Sequence, residues 1–182
     1  MTAAPDIALP ADLPLLALRS TIVFPGGRIA VQVASAENLA LLAAHPGEGT
    51  CVICVLEPED RDGAPRRAEG RIGVVARLTD RREPVGGTAQ VTLVGMQRAR
   101  AVTTTRDEVS GYAFARVEAV EESLRDDVTA RALMHRVALA ADARVELDTS
   151  FPAELPALLR REVQKQSRFA DLAAARGAMR AA

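Results

Sequence analysis

The chain has no tryptophan, aromatics make up 3% of its 182 residues, and Lys165 is its single lysine. So few aromatics leave a stacking platform for single-stranded nucleic acid poorly supplied. They also oblige any core to be built from Leu, Val, Ile and Ala. Cysteine is scarce too, and Cys51 and Cys54 cannot form a disulfide framework of the secreted kind. Net charge is almost absent: 23 basic and 24 acidic residues leave −1, so no global field draws the chain onto DNA or an anionic membrane. No apolar run approaches the roughly 18–20 residues of a membrane span. Met1 to Ala11 carries no basic cluster followed by an apolar stretch. These absences predict a cytoplasmic location, with neither nucleic acid nor membrane as partner. Against them stand 48% hydrophobic and 26% charged residues, the composition of an ordinary globular protein.

Hydrophobic period divides what is there. From about Leu13 the pattern is mostly period 2, broken by Gly and Pro; from Ser123 it is helical, Ala-rich and charged. The expected organisation is a loosely anchored N-terminus over 1–12, a β domain over 13–122 and a helical subdomain over 123–182. Leu15 to Leu18 and Thr21 to Phe24 read as short β runs, the second halted by Pro25-Gly26-Gly27. Ile29, Val31 and Val33 alternate with polar or small neighbours, as in a half-buried strand. Ala34 to Ala44 predicts a helix with Ser35 as N-cap and Pro46-Gly47 as its stop. Cys51 to Leu56 is apolar throughout and suits a strand buried on both faces. Ile72, Val74, Ala76 and Leu78, then Ala89, Val91 and Leu93 after a turn-rich stretch, predict a hairpin. Arg98 to Thr104 and Tyr112 to Val120 extend the sheet to six or seven strands, which should close into a barrel-like or two-sheet domain because open edges invite aggregation. Ser123 opens a capping-box-like start to a helix running to about Arg144. On it Leu133, Met134, Val137, Ala138 and Ala141 span an arc expected to be packed. Pro156 punctuates a second helix, and Ser167 is placed as the cap of a third ending near Gly177.

Catalytic signatures are missing. No glycine-rich run precedes Lys165, so no P-loop cradles a nucleotide, and no GxSxG elbow presents a serine. Cys51 and Cys54 have CxxC spacing, but zinc needs four ligands and no second pair exists. In a strand, residues three apart point to opposite faces, so both are read as core cysteines. His135 is read as a solvated residue. The acidic stretch Glu57, Glu59, Asp60, Asp62, Gly63 is interrupted by Pro58, which breaks the alternation a calcium loop needs. Arg66, Arg67, Arg71, Arg77, Arg81 and Arg82 form a basic stretch without interleaved aromatics, read as solvated sheet and loop edges. No catalytic residue, metal or cofactor is expected.

Four segments, in order, carry a resemblance. Leu13-Pro14-Leu15-Leu16-Ala17-Leu18-Arg19 with Ile22-Val23-Phe24-Pro25 resembles the LPxxxLR…VxFP opening of the Lon protease N-terminal domain. Arg71 to Ala76 resembles its IGxxA strand, Val94 to Arg100 its (V)xGxxR signature, and Tyr112 to Val117 its closing strand. Pro25 and Gly26 are expected to end a strand sharply, Gly73 to relieve crowding between strands, and Gly95 to permit a turn. Arg19 and Arg98 are expected to anchor loops by donating to carbonyls.

The resemblance implies an α+β fold, a PUA-like β pseudo-barrel with one inserted helix followed by a C-terminal helical subdomain. It implies a non-catalytic module that recognises unfolded or tagged polypeptides for ATP-dependent proteolysis, since the ATPase and peptidase of such proteases lie in later domains. Phe24, Met96, Tyr112 and Phe114 are the candidate substrate contacts. The alternatives are an adaptor that docks on a protease or ATPase partner through its helical tail and, less favoured on charge and aromatic content, an RNA-binding PUA-like domain. Self-association stays open.

Overall fold

The computed structural model describes residues 9–57, 68–121, 128–149, 151–163 and 166–177. The expected features at Ser123, in the acidic stretch from Pro58 to Gly63, and at Arg66 and Arg67 lie outside them. Along the chain run β1 (Asp12–Leu18), β2 (Arg28–Val33), α1 (Ala36–Ala44), β3 (Cys51–Leu56), β4 (Ile72–Val85), β5 (Thr88–Arg106), β6 (Ala113–Ala119), α2 (Val128–Leu147), α3 (Leu155–Glu162) and α4 (Gln166–Gly177). The fold is α+β, and the chain forms two compact units. One holds Met1–Val23 with Arg28–Val120, the other Phe24–Gly27 with Glu121–Ala182.

The sheet runs β2-β5-β4-β3-β1-β6, and β6 pairs again with β5. Five strands therefore form a closed circuit, and β2 hangs outside it on β5. Closure is made possible by the length of β5: Ala89–Val94 pairs with β2, while Ala99–Arg106 pairs with β6. Among the described strands only β1 and β3 pair in parallel. Alternation then sorts side chains into two clusters. Leu13, Leu15, Ile53, Val55, Val75, Ala99, Ala101, Ala113, Ala115 and Val117 fill the inside of the circuit, and the run of alanines is what lets strands curve so tightly. Leu16, Leu18, Val52, Cys54, Val74, Ala76, Leu78, Val91 and Leu93 face the other way, covered by Leu41 and Leu42 of α1 and by Val31 and Val33 of β2. The apolar run of β3 is buried on both faces, as its composition predicts.

Local chemistry explains the joints. The Ser35 side chain accepts from the Asn38 N–H at 3.3 Å and caps α1. Asn38, itself buried, donates Nδ2 to the Ala17 carbonyl at 2.7 Å, and its Oδ1 accepts from the Ala17 N–H at 3.3 Å. It thus stands in for a strand where β6 has stopped pairing with β1. The β4–β5 hairpin turns on Gly86 and Gly87, at φ +62° and +82°, the left-handed pair a two-residue loop requires. A Cβ on Gly73 would collide with the Cys54 carbonyl oxygen and Val55 Cγ2, so crowding between β3 and β4 demands glycine there.

Several expectations are corrected. Thr21 to Phe24 is not a strand: Phe24-Pro25-Gly26-Gly27 is a turn closed by the Gly27 N–H donating to the Phe24 carbonyl at 2.9 Å, with Gly26 at φ +72°. Gly95 lies inside β5 opposite Ala76, where the register slips, and not in a turn. Arg98 to Thr104 continues β5 instead of forming a separate strand. Ser167 is the second residue of α4, not its cap.

The helical unit has its own small core of Met134, Ala138 and Ala141 from α2, Leu155, Leu159 and Val163 from α3 and its end, and Phe169 from α4. Pro156 sits in the first turn of α3, where no N–H is missed. Leu133 and Val137, expected to be packed, are 54% and 42% exposed. Apolar residues lie nearly all round α2, and one unit's small core covers only one side of it.

Candidate functional site

The expected contacts divide between places. Tyr112 and Phe114 come together at the start of β6, ring centroids 4.8 Å apart and tilted by 43°. His45, at the C-terminus of α1, meets the same tyrosine edge-on, with centroids 5.6 Å apart and Nε2 2.9 Å from the phenolic oxygen. A tight turn presents this group: the Asp107 N–H donates to the Tyr112 carbonyl at 3.1 Å, and the Gly111 N–H donates to the Asp107 carbonyl at 2.9 Å, with Gly111 at φ +77°. The Asp107 carboxylate accepts from the Val109 N–H at 3.0 Å. Tyr112 is buried in the cluster beneath α1, while Phe114 is half-buried at its margin. Met96 is half-buried where β5 bulges and packs on the other cluster, inside the circuit. Phe24 is half-buried and belongs to the helical unit. Within the sheet unit, therefore, Tyr112 and Phe114 form one aromatic pair and Met96 packs on a different cluster.

Other polar groups near the sheet serve the fold. Cys54 is buried, and burial pushes its thiol up to about 12, so it holds its proton at neutral pH. Cys54 and the half-buried Cys51 pack on opposite clusters, as the strand period requires. Arg81 donates to the Leu42 carbonyl at the end of α1, a helix with no basic residue in its own last turn. Arg71 donates to the Leu56 carbonyl at the end of β3. Beside it Glu57 is held above the usual carboxylate range by burial and by Glu37, against the pull of Arg71 and Arg19.

Sequence reasoning missed two surfaces. On α2, Val128, Leu133, Val137, Leu139 and Leu147 are exposed, the densest run of large aliphatic side chains in solvent among the described residues. The signal was present in the weak segregation of apolar from polar positions along that helix. Between α2 and α3 an open groove of about 320 Å³ is lined by His135, Ala138, Leu139, Arg160 and Val163, and Arg160 is tied to Asp142 across it. The second surface is the outer edge of β2, which among the described residues pairs only with β5. Among the described residues no group of three His, Cys, Asp or Glu could hold a metal, and no helix is long and apolar enough to cross a membrane.

Comparison with known proteins agrees with this architecture. The family model described as the ATP-dependent protease La (LON) substrate-binding domain matches residues 12–180. The Lon protease of Anaeromyxobacter dehalogenans (strain 2CP-C) is 28% identical over 169 residues, which is 92% of this chain and 20% of that protein. Lon protease 2 of Myxococcus xanthus is 27% identical over 169 residues, again 92% of this chain and 20% of that one. The chain thus spans about a fifth of the length of the curated relatives it matches. The solved N-terminal domain of Mycobacterium avium complex Lon protease superposes with a TM-score of 0.65 at 21% identity, covering 89% of this chain and 81% of that one, a likeness of fold.

Proposed function

Because this chain belongs to the substrate-binding domain family of ATP-dependent protease La (LON), we propose that it binds polypeptides and performs no chemistry on them. In this reading its ligands are unfolded or tagged proteins, held for ATP-dependent proteolysis that other domains or another protein carry out. The single observation that carries the reading is the family match over residues 12–180. Geometry supports it through apolar side chains kept in or near solvent: Phe114 and Met96 at the margins of the sheet clusters, and the aliphatic run on α2. Unfolded chains differ from folded ones in exposing apolar groups and unpaired backbone, so a binder must offer partners for both.

The test is fluorescence anisotropy of a labelled, reduced and carboxymethylated globular protein, which stays unfolded, titrated with the full chain. Saturable binding in the micromolar range is expected, with little binding of the same protein in its native form. Equal affinity for the two forms, or none for either at low and moderate salt, would count against the reading.

A second reading, an adaptor that docks on a protease or ATPase, is favoured by the same exposed run on α2. Replacing Leu133 and Val137 together by glutamate would then abolish capture of the partner in a pull-down while leaving the far-UV circular dichroism of the chain unchanged.

A further inference from the structure

The first half of β5 is flanked by the far half of β4 on one side and by β2 on the other. These two outer edges are treated differently. Along the β4 edge the register slips twice between Thr79 and Val85, each time with an extra residue on β4, and Asp80 sits at φ +46°. Arg81 and Arg82 add charge there, and Pro84 has no N–H to offer. Bulges, charge and proline are the devices by which proteins keep strangers from an exposed edge.

β2 carries neither bulge nor proline, and its one charged residue is Arg28 at its start. Its six residues pair in unbroken register from Arg28↔Val94 to Val33↔Ala89, without proline or bulge. Among the described residues its backbone makes no hydrogen bonds beyond those to β5, and Arg28, Ala30 and Gln32 are exposed. The charge of Arg28 is engaged with Asp80.

We propose that the outer edge of β2 receives an extended segment of a substrate polypeptide as an added strand. The inference rests on the polypeptide-binding reading above and specifies how that binding is made. A row of main-chain donors and acceptors at strand spacing is complementary to another extended backbone and indifferent to its sequence. Side chains supply the selectivity. Val31 and Val33 are buried in the cluster beneath α1 and Ile29 packs against it, so alternate guest residues on that face meet an apolar margin. Ala30 and Gln32 leave the other face open to water and tolerant of polar residues. The occupant is a flexible segment and not a second copy of the chain. A six-residue edge is about 20 Å long, and two such edges meeting would bury roughly 200 Å² per copy, far below the ~800 Å² per partner of a stable interface. An unfolded chain offers many such segments and rebinds when one lets go.

Amide hydrogen exchange of the full chain, with and without carboxymethylated unfolded protein, reads the edge directly. Residues 28–33 are expected to exchange at least about tenfold more slowly with the probe bound. In parallel, a six-residue alternating Val/Thr peptide is expected to bind at least about tenfold more tightly than the same peptide N-methylated at alternate amides, since methylation removes the donors on one edge. If the probe binds but protection falls elsewhere, on α2 for example, and β2 is unchanged, the edge inference fails while the binding function stands. If methylation has no effect, recognition is not through the backbone and the inference fails. If the probe does not bind at all, the function itself is wrong. Protection of 28–33 without probe, growing with protein concentration, would make a second copy the occupant and overturn the proposal.

Discussion

In the sheet unit, Leu16, Val52, Ile53, Val75, Val91 and Leu93 are all at 0% exposure, and β3 is buried on both faces. In the helical unit, α2 buries Met134, Ala138 and Ala141 but leaves Leu133, Val137, Leu139 and Leu147 in solvent. Both regions are rich in aliphatic residues. A circuit of strands has an inside and, under α1, a covered outside, so nearly every apolar position finds neighbours. A three-helix cluster covers only one side of each helix. Apolar residues therefore carry stability in the first region and surface chemistry in the second, although composition alone makes them look alike.

Substituting leucine by alanine in each region is the strongest way to break that contrast. Leu16→Ala should cost about 2–5 kcal/mol of unfolding free energy, because the closed sheet cannot collapse into the space left behind. Leu133→Ala, on the exposed side of α2, should change stability by less than about 0.5 kcal/mol. Urea titration followed by far-UV circular dichroism measures both. Similar costs would mean that Leu133 is packed and the distinction false.

How far this was legible follows the range of the forces. The α+β class, the strand at Cys51–Leu56, the hairpin partners and the Ser35 cap depend on residues close in sequence, and each is where periodicity or capping chemistry puts it. Resemblance in four short segments was enough to point to the family. Thr21 to Phe24 has strand-like residues but, among the described residues, no partner strand, and Pro25-Gly26 closes a turn on it instead. The return of β6 to β5 and the bulge at Asp80 depend on registers between distant residues, which period 2 does not encode. The site was harder still. Aromatic residues attract attention as contacts, yet Tyr112 sits in the core, where its hydroxyl meets His45. A strand edge is built from backbone, and backbone is the same in every sequence; only the missing proline and the unbroken alternation of β2 hinted at it.

A smaller effect sharpens the comparison within the sheet unit, between a crowded and an open glycine. Gly73→Ala would drive a methyl group into the Cys54 carbonyl and Val55, and should cost about 1–3 kcal/mol. Gly47, beyond the end of α1, has no atom within 4 Å of a Cβ built on it and no positive φ. Gly47→Ala should be neutral, or stabilise by up to about 1 kcal/mol through the unfolded state. Thermal melts of the two variants should therefore move in different directions or by clearly different amounts. A tolerated Gly73→Ala would mean that β3 and β4 are less closely apposed than their geometry requires.

The smallest expected effect is electrostatic and compares one group with itself across pH. Burial, reinforced by Glu37, holds the Glu57 carboxyl above its ordinary value of 4.5, while Arg71 and Arg19 pull it the other way. The folded chain thus binds this proton more tightly than the unfolded chain does. Linkage then requires stability to fall as pH rises through the window between the ordinary value and the raised one. Above that window the group is ionised in both states, and its cost to the fold is constant. Glu57→Gln removes the ionisation, so the variant should be slightly more stable than the parent at pH 7, with the difference shrinking as pH falls toward 4. Because Glu57 is only half-buried, solvent screening keeps the effect small. Urea midpoints of parent and variant at pH 4, 5.5 and 7 read it as a difference, which cancels the titration of every other group. A variant less stable than the parent at pH 7 would show that Arg71 and Arg19 outweigh burial, and that this corner of the sheet unit is held by ion pairing.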